Sequence, residues 1–146
     1  MTKKFISKSA TETQKIATKL VKNFKKGEIL ALSGDLGGGK TTFVQGLAKG
    51  LEIKEQITSP SFVLIKEYSV NSKQLTVNNL IHIDLYRLKK VDEVFAKEIQ
   101  EYFVPENIVV IEWAEKIKDI LPANTKWFKF DFIDENIREI QYDLSD

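Results

Sequence analysis

Gly34, Gly37, Gly38 and Gly39 stand beside Lys40, Thr41 and Thr42 in one short stretch, ALSGDLGGGKTTF, residues 31–43. Gly34, four residues, Gly39, Lys40 and Thr41 follow the pattern G-x-x-x-x-G-K-[ST], whose chemistry is the capture of phosphate. Backbone N–H groups can wrap an oxyanion only where side chains do not block the approach, so Gly37, Gly38 and Gly39 make room for it. The Lys40 ammonium then reaches the β- and γ-phosphates, and the Thr41 hydroxyl can ligate Mg²⁺. Thr42 extends the same row of donors. Both Lys40 and Thr41 are expected at exposed phosphate positions. The alternative is an incidental glycine-rich turn, and the flanking elements argue against it.

A magnesium site of this kind needs an acid at the tip of a neighbouring strand. Two acids follow apolar runs: Asp84 after Leu80-Ile-His-Ile83, and Glu112 after Ile108-Val-Val-Ile111. The run before Glu112 reads as the cleaner buried strand, where a carboxylate without a cation would be costly. Glu112 is therefore read as the metal-site acid. Asp84 is left to hold or activate an attacking water, to sit behind the metal, or to cap a loop. His82 shares the sheet face of Asp84 and reads as a supporting residue. Trp113 reads as core, with a lid beside the nucleotide as the alternative. Thr58-Ser-Pro-Ser-Phe62 sets three hydroxyls around a proline; it is an ordinary turn or a switch segment that closes on Mg²⁺ and γ-phosphate.

The elements that must position these residues alternate along the chain. Lys4–Ser7 reads as a short strand, and Ser9-Ala-Thr-Glu12 as a capping box opening a helix with Ile16, Leu20, Val21 and Phe24 on its apolar face. Glu28–Ser33 is a buried strand and Lys40–Lys49 a helix, with Gly50 as its stop. Phe62–Val70 and Leu80–Asp84 read as strands, Val91–Phe103 as a helix ended by Pro105, and Ile108–Ile111 as a central parallel strand. A short helix over Ala114–Leu121 precedes a hairpin, Trp127–Ile133 and Arg138–Leu144, around Asp134-Glu-Asn136. This order predicts an α/β fold: a three-layer sandwich of the P-loop NTPase kind with a mostly parallel sheet and a C-terminal antiparallel hairpin.

The 146 residues carry 22 lysines and arginines against 21 aspartates and glutamates, a net charge of +1 that offers no broad footprint for nucleic acid. The length suits one domain over residues 1–146. Lysines crowd the start and acids the end, which reads as a solvated helix face and an acidic tail. There is no cysteine and one histidine, so disulfides, thiolate metal sites, cysteine nucleophiles and histidine-rich metal sites are excluded. No stretch approaches the ~20 apolar residues of a spanning helix, and the expectation is a cytoplasmic protein without a membrane role. Arg87 and Arg138 are the only arginines, few for a small-molecule kinase. Asn124-Thr-Lys-Trp127 lacks the aspartate of a guanine-reading N-K-x-D segment. A nucleotide-binding scaffold without turnover remains a competing reading.

GDLGGGKTTF, TSPSF, HIDLYRL and IEW, in this order, resemble the TsaE (YjeE) family of bacterial ATPases over nearly the whole chain. The glycine motif is generic; HIDLYRL and IEW are more specific. The resemblance implies an Mg²⁺-dependent ATPase that supports the threonylcarbamoyl modification of adenosine in tRNA through TsaB and TsaD partners, with tRNA met only through the complex. It implies Lys40 and Thr41 as phosphate and magnesium residues, Ser61 as switch hydroxyl, Asp84 as catalytic candidate, and Glu112 with Trp113 as the second metal acid and its neighbour. Arg138 is expected near the nucleotide base or on the surface. Gly38 replaces the alanine usual in that loop, and Ser61 the usual threonine.

Overall fold

The computed structural model describes residues 2–58, 64–71 and 77–143. Seven strands form one sheet: β1 (Thr2–Ser7), β2 (Ile29–Gly34), β3 (Ile65–Ser69), β4 (Asn79–Asp84), β5 (Asn107–Glu112), β6 (Lys126–Phe132) and β7 (Arg138–Asp143), in the order β1-β7-β6-β2-β5-β4-β3. The central four, β4-β5-β2-β6, are parallel; β3, β7 and β1 join antiparallel at the flanks. Runs such as Ile108-Val-Val-Ile111 are buried along their whole length because helices cover both faces of the sheet.

Helices α1 (Ala10–Val21) and α2 (Lys40–Gly50) lie on one face, over Leu30, Leu32, Leu80, Val110 and Phe128. Helix α3 (Glu93–Gln100) and a 3-10 helix, Ala114–Ile120, lie on the other, over Ala31, Ile81, Ile83, Val109 and Ile111. Among the described residues no helix is long and apolar enough to cross a membrane.

Three local readings change. Helix α1 buries Thr13, Ala17 and Val21 most deeply, with Ile16 and Leu20 only partly covered. Small residues face α2 because the two helices pack closely: a Cβ on Gly46 would lie 2.4 Å from the Gln14 carbonyl oxygen. Gly50 does not stop α2 by a left-handed turn. It is the helix's last residue, where a Cβ would meet Val21 Cγ1 at 2.4 Å, and the positive φ falls on Glu52. The helix expected over Val91–Phe103 is shorter because Asp92 caps it, accepting from Phe95 N at 2.8 Å.

Candidate functional site at the glycine loop

The loop between β2 and α2 is held open by its neighbours. Gly34 has φ +115°, and a Cβ there would fall 2.0 Å from the Phe130 carbonyl oxygen, so only glycine lets β6 pass this close. Asp35 N donates to Phe130 O at 2.9 Å, and Phe132 N donates to Asp35 Oδ2 at 3.2 Å. Gly39, at φ +100°, turns the chain into α2. Ser9 caps α1 and Asp92 caps α3, and each has a glutamate in its first turn; α2 has neither a side-chain cap nor a first-turn acid. Its unpaired amides and positive dipole end therefore suit an anion.

Lys40, the first residue of α2, is buried rather than exposed as its sequence position suggested. Its Nζ donates to the carbonyls of Gly34 at 3.0 Å and Asp35 at 2.7 Å, and lies 4.1 Å from the centre of the Trp113 ring. Burial pushes its pKa below the ordinary lysine value, opposed by the carboxylates of Glu112, Glu115, Asp35 and Asp84. These acids favour the charged form that a phosphate would need.

Thr41 Oγ1 is 3.0 Å from both carboxylate oxygens of Glu112, to which it donates. Glu112 ends β5, is 3% exposed, and sits in register with Asp84 at the end of β4 and Leu32 on β2. Register partners on parallel strands share a face, so both acids lie on the α2 side of the sheet. His82 Nε2 lies 2.6 Å from Glu112 Oε2. The Asp84 Oδ1 atom accepts from Tyr86 N at 3.0 Å and so shapes the turn leaving β4. Hydroxyl, two acids and ammonium thus come from segments far apart in sequence.

They border a cleft of about 610 Å³. Gly37, Gly39, Lys40, Thr41, Thr42, Asp84, Glu112 and Arg138 all line it. Gly38 does not: it is buried against β6, where a Cβ would lie 3.0 Å from Asp35 O and 3.1 Å from Phe130 Cβ. Its smallness keeps the loop seated rather than clearing the cleft. Trp113 packs against the core but is not buried in it. It takes φ +62°, is half-buried, lines the cleft and packs its ring 5.3 Å from that of Tyr86. Arg138 joins the loop itself, Nε donating to Gly37 O at 2.7 Å and Nη1 to Asp134 O, with its guanidinium 4.4 Å from the Phe132 ring. Ser61, the proposed switch hydroxyl, lies outside the described residues.

The far wall went unread in the sequence. Lys8, Ser9, Ala10 and Thr13 line the cleft at the start of α1, as do Glu135 and Asn136 of the β6–β7 turn. The basic start of the chain gave the available signal, and it reads equally well as a solvated face.

Lys116 was missed as well. Its ammonium donates to the carbonyls of Leu85 at 2.9 Å, Tyr86 at 2.9 Å and Leu88 at 2.6 Å, pinning the turn behind Asp84 to the segment behind Glu112. Lys116→Met keeps the aliphatic stem and removes all three bonds. The variant should lose about 2 kcal/mol of unfolding free energy in urea titration; an unchanged transition would mean that water satisfies these carbonyls equally well.

A sheet with a parallel centre, whose carboxyl edge carries an uncapped, glycine-entered helix and a buried acid hydrogen-bonded to that helix's first hydroxyl, defines an α/β protein of the layered kind that the chain's order of elements predicts. The chain belongs to the TsaE family. The family model described as threonylcarbamoyl adenosine biosynthesis protein TsaE matches residues 7–140, and the family takes part in tRNA threonylcarbamoyladenosine biosynthesis. The tRNA threonylcarbamoyladenosine biosynthesis protein TsaE of Treponema pallidum is 37% identical over 135 residues, 92% of this chain and 96% of that protein. That of Aquifex aeolicus is 36% identical over 143 residues, covering 95% and 94%. The crystal structure of Bacillus subtilis YdiB superimposes with a TM-score of 0.79 at 32% identity, over 97% of this chain and 84% of that one.

Proposed function

We propose that this chain binds Mg-ATP at the glycine loop and hydrolyses it slowly, in support of threonylcarbamoylation of adenosine in tRNA, through a complex with TsaB and TsaD proteins. The observation that carries the reading is Thr41 hydrogen-bonded to the buried Glu112 beside the Lys40 ammonium. Among the described residues no group of three or more His, Cys, Asp or Glu is arranged to hold a metal ion. A divalent ion here would depend on the Thr41 hydroxyl, Glu112, water and ligand oxygens. That hard, oxygen-only donor set fits Mg²⁺, which keeps several waters and shares phosphate ligands.

When bound, Mg²⁺ would neutralise charge on the phosphates. Thr41 donates a hydrogen bond to Glu112, and its lone pairs would be available to the ion. The α2 amides and Lys40 bind phosphate oxygens, for which the ammonium exchanges the carbonyls of Gly34 and Asp35. Asp84 orients water. A nucleotide-binding scaffold without turnover shares every binding feature and differs only in the last.

Calorimetric titration with Mg-ATP tests the binding. A charge-assisted hydrogen bond contributes about 1.5–3 kcal/mol, so Lys40→Ala and Thr41→Ala should each weaken affinity roughly 10- to 100-fold with the fold retained by circular dichroism. Wild-type affinity in both variants would show that the loop does not take phosphate.

A further inference from the structure

The side chain of His82 is fully buried, yet the site as described gives it no task. Its Nε2 stands 2.6 Å from Glu112 Oε2, and since the carboxylate can only accept, Nε2 carries the hydrogen and donates. Nδ1 is then a buried acceptor, without a partner among the described residues. An aliphatic side chain would avoid that desolvation cost and would suit the neighbouring Leu80 and Val110. A fold-only requirement therefore does not account for imidazole at this position.

We infer that His82 is a positioning residue: through Nε2–H it holds the Glu112 carboxylate in the orientation that bridges to Thr41, and so sets the affinity for the divalent ion. Glu112 stands between the two donors, Thr41 Oγ1 at 3.0 Å from both oxygens and His82 Nε2 at 2.6 Å from Oε2. A carboxylate gripped at one oxygen cannot turn away from Thr41, which is how hydrogen-bonded partners behind a metal ligand raise its affinity. The inference rests on the proposed Mg²⁺ role of Thr41 and Glu112.

His82 is the only histidine in the sequence, so its ring signals stand alone in the untagged chain. Nitrogen-15 correlation spectra of the metal-free protein should show hydrogen on Nε2 and a bare Nδ1, with the Nε2–H resonance displaced in Glu112→Gln. In Mg²⁺ titrations at fixed ATP, His82→Leu should need about tenfold more Mg²⁺, with nucleotide binding in the presence of EDTA unchanged. His82→Gln, whose amide can donate at a similar reach, should restore most of the loss. In a Glu112→Gln background His82→Leu should add nothing further.

The opposite tautomer, failure of His82→Gln to restore, additive effects, or lowered thermal stability with wild-type Mg²⁺ dependence would each overturn the inference. If His82→Leu does not fold, the ring spectra and His82→Gln still decide. An ATP affinity of the unmodified chain that is the same with Mg²⁺ as with EDTA would instead overturn the underlying reading, and the inference with it.

Discussion

Asp84→Asn should cut ATP turnover roughly 10²- to 10⁴-fold, the range for losing a positioned proton acceptor, while Mg-ATP affinity stays near that of the unmodified chain. Glu112→Gln should do the reverse in binding, weakening it in a magnesium-dependent way. The two carboxylates are register partners on adjacent strands, but their surroundings differ. Glu112 is hydrogen-bonded to Thr41 and His82, which would hold it in place for the proposed ion. Asp84 lines the same cleft and uses Oδ1 to accept from Tyr86 N. Asparagine retains an oxygen for that bond, so the turn survives the substitution. A group that orients water matters mainly in the transition state, so its loss appears in kcat and spares binding. Steady-state turnover alongside calorimetry separates the two acids; interchanged effects would place the water on Glu112.

The isolated chain should be a slow ATPase that TsaB and TsaD together accelerate. An arginine brought to the γ-phosphate is worth roughly 10³–10⁵ in turnover, and this chain has only two arginines. Arg138 is engaged by the carbonyls of Gly37 and Asp134, and Arg87 is exposed on the turn after β4, outside the cleft lining. We therefore expect the cation to come from a partner. Partners that contribute one should produce the rise, and Ser61→Ala, at the switch hydroxyl the family resemblance implies, should blunt the rise more than the basal rate. Phosphate release measured with and without the two proteins checks this. Rapid hydrolysis by the chain alone, indifferent to them, would identify a self-sufficient enzyme instead.

The sequence was most legible where one local rule acts alone. Ser9 and Glu12 announce the start of α1, four glycines and a lysine announce the loop, and the β-branched run before Glu112 announces a central strand. What escaped was decided by distant packing. Gly50 looks like a stop until α1 is laid beside it, when its missing Cβ is seen to admit Val21. Trp113 looks like core by composition and does pack on it, but a left-handed backbone also turns it towards Lys40. The kink at Ile117, φ −128°, which divides residues 114–120 into two short 3-10 turns, is likewise invisible in helical propensity. Lys116 carries no motif; its three carbonyl partners lie 28 to 31 residues earlier in the chain.

The bonds that shape the glycine loop come from even further away. Phe132 grips Asp35 across 97 residues and Arg138 grips Gly37 across 101. During translation at about 5–20 residues per second, residues 34–39 leave the ribosome roughly 5–20 s before the strands that clamp them. For that interval the motif is complete as sequence but lacks the β6 backbone and the Arg138 guanidinium that hold it in shape. Closing so long a chain segment is also an intrinsically late event in folding. A half-made chain therefore presents glycines and a lysine without a cradle, and the loop takes its final shape only once the sheet has been built out to β7.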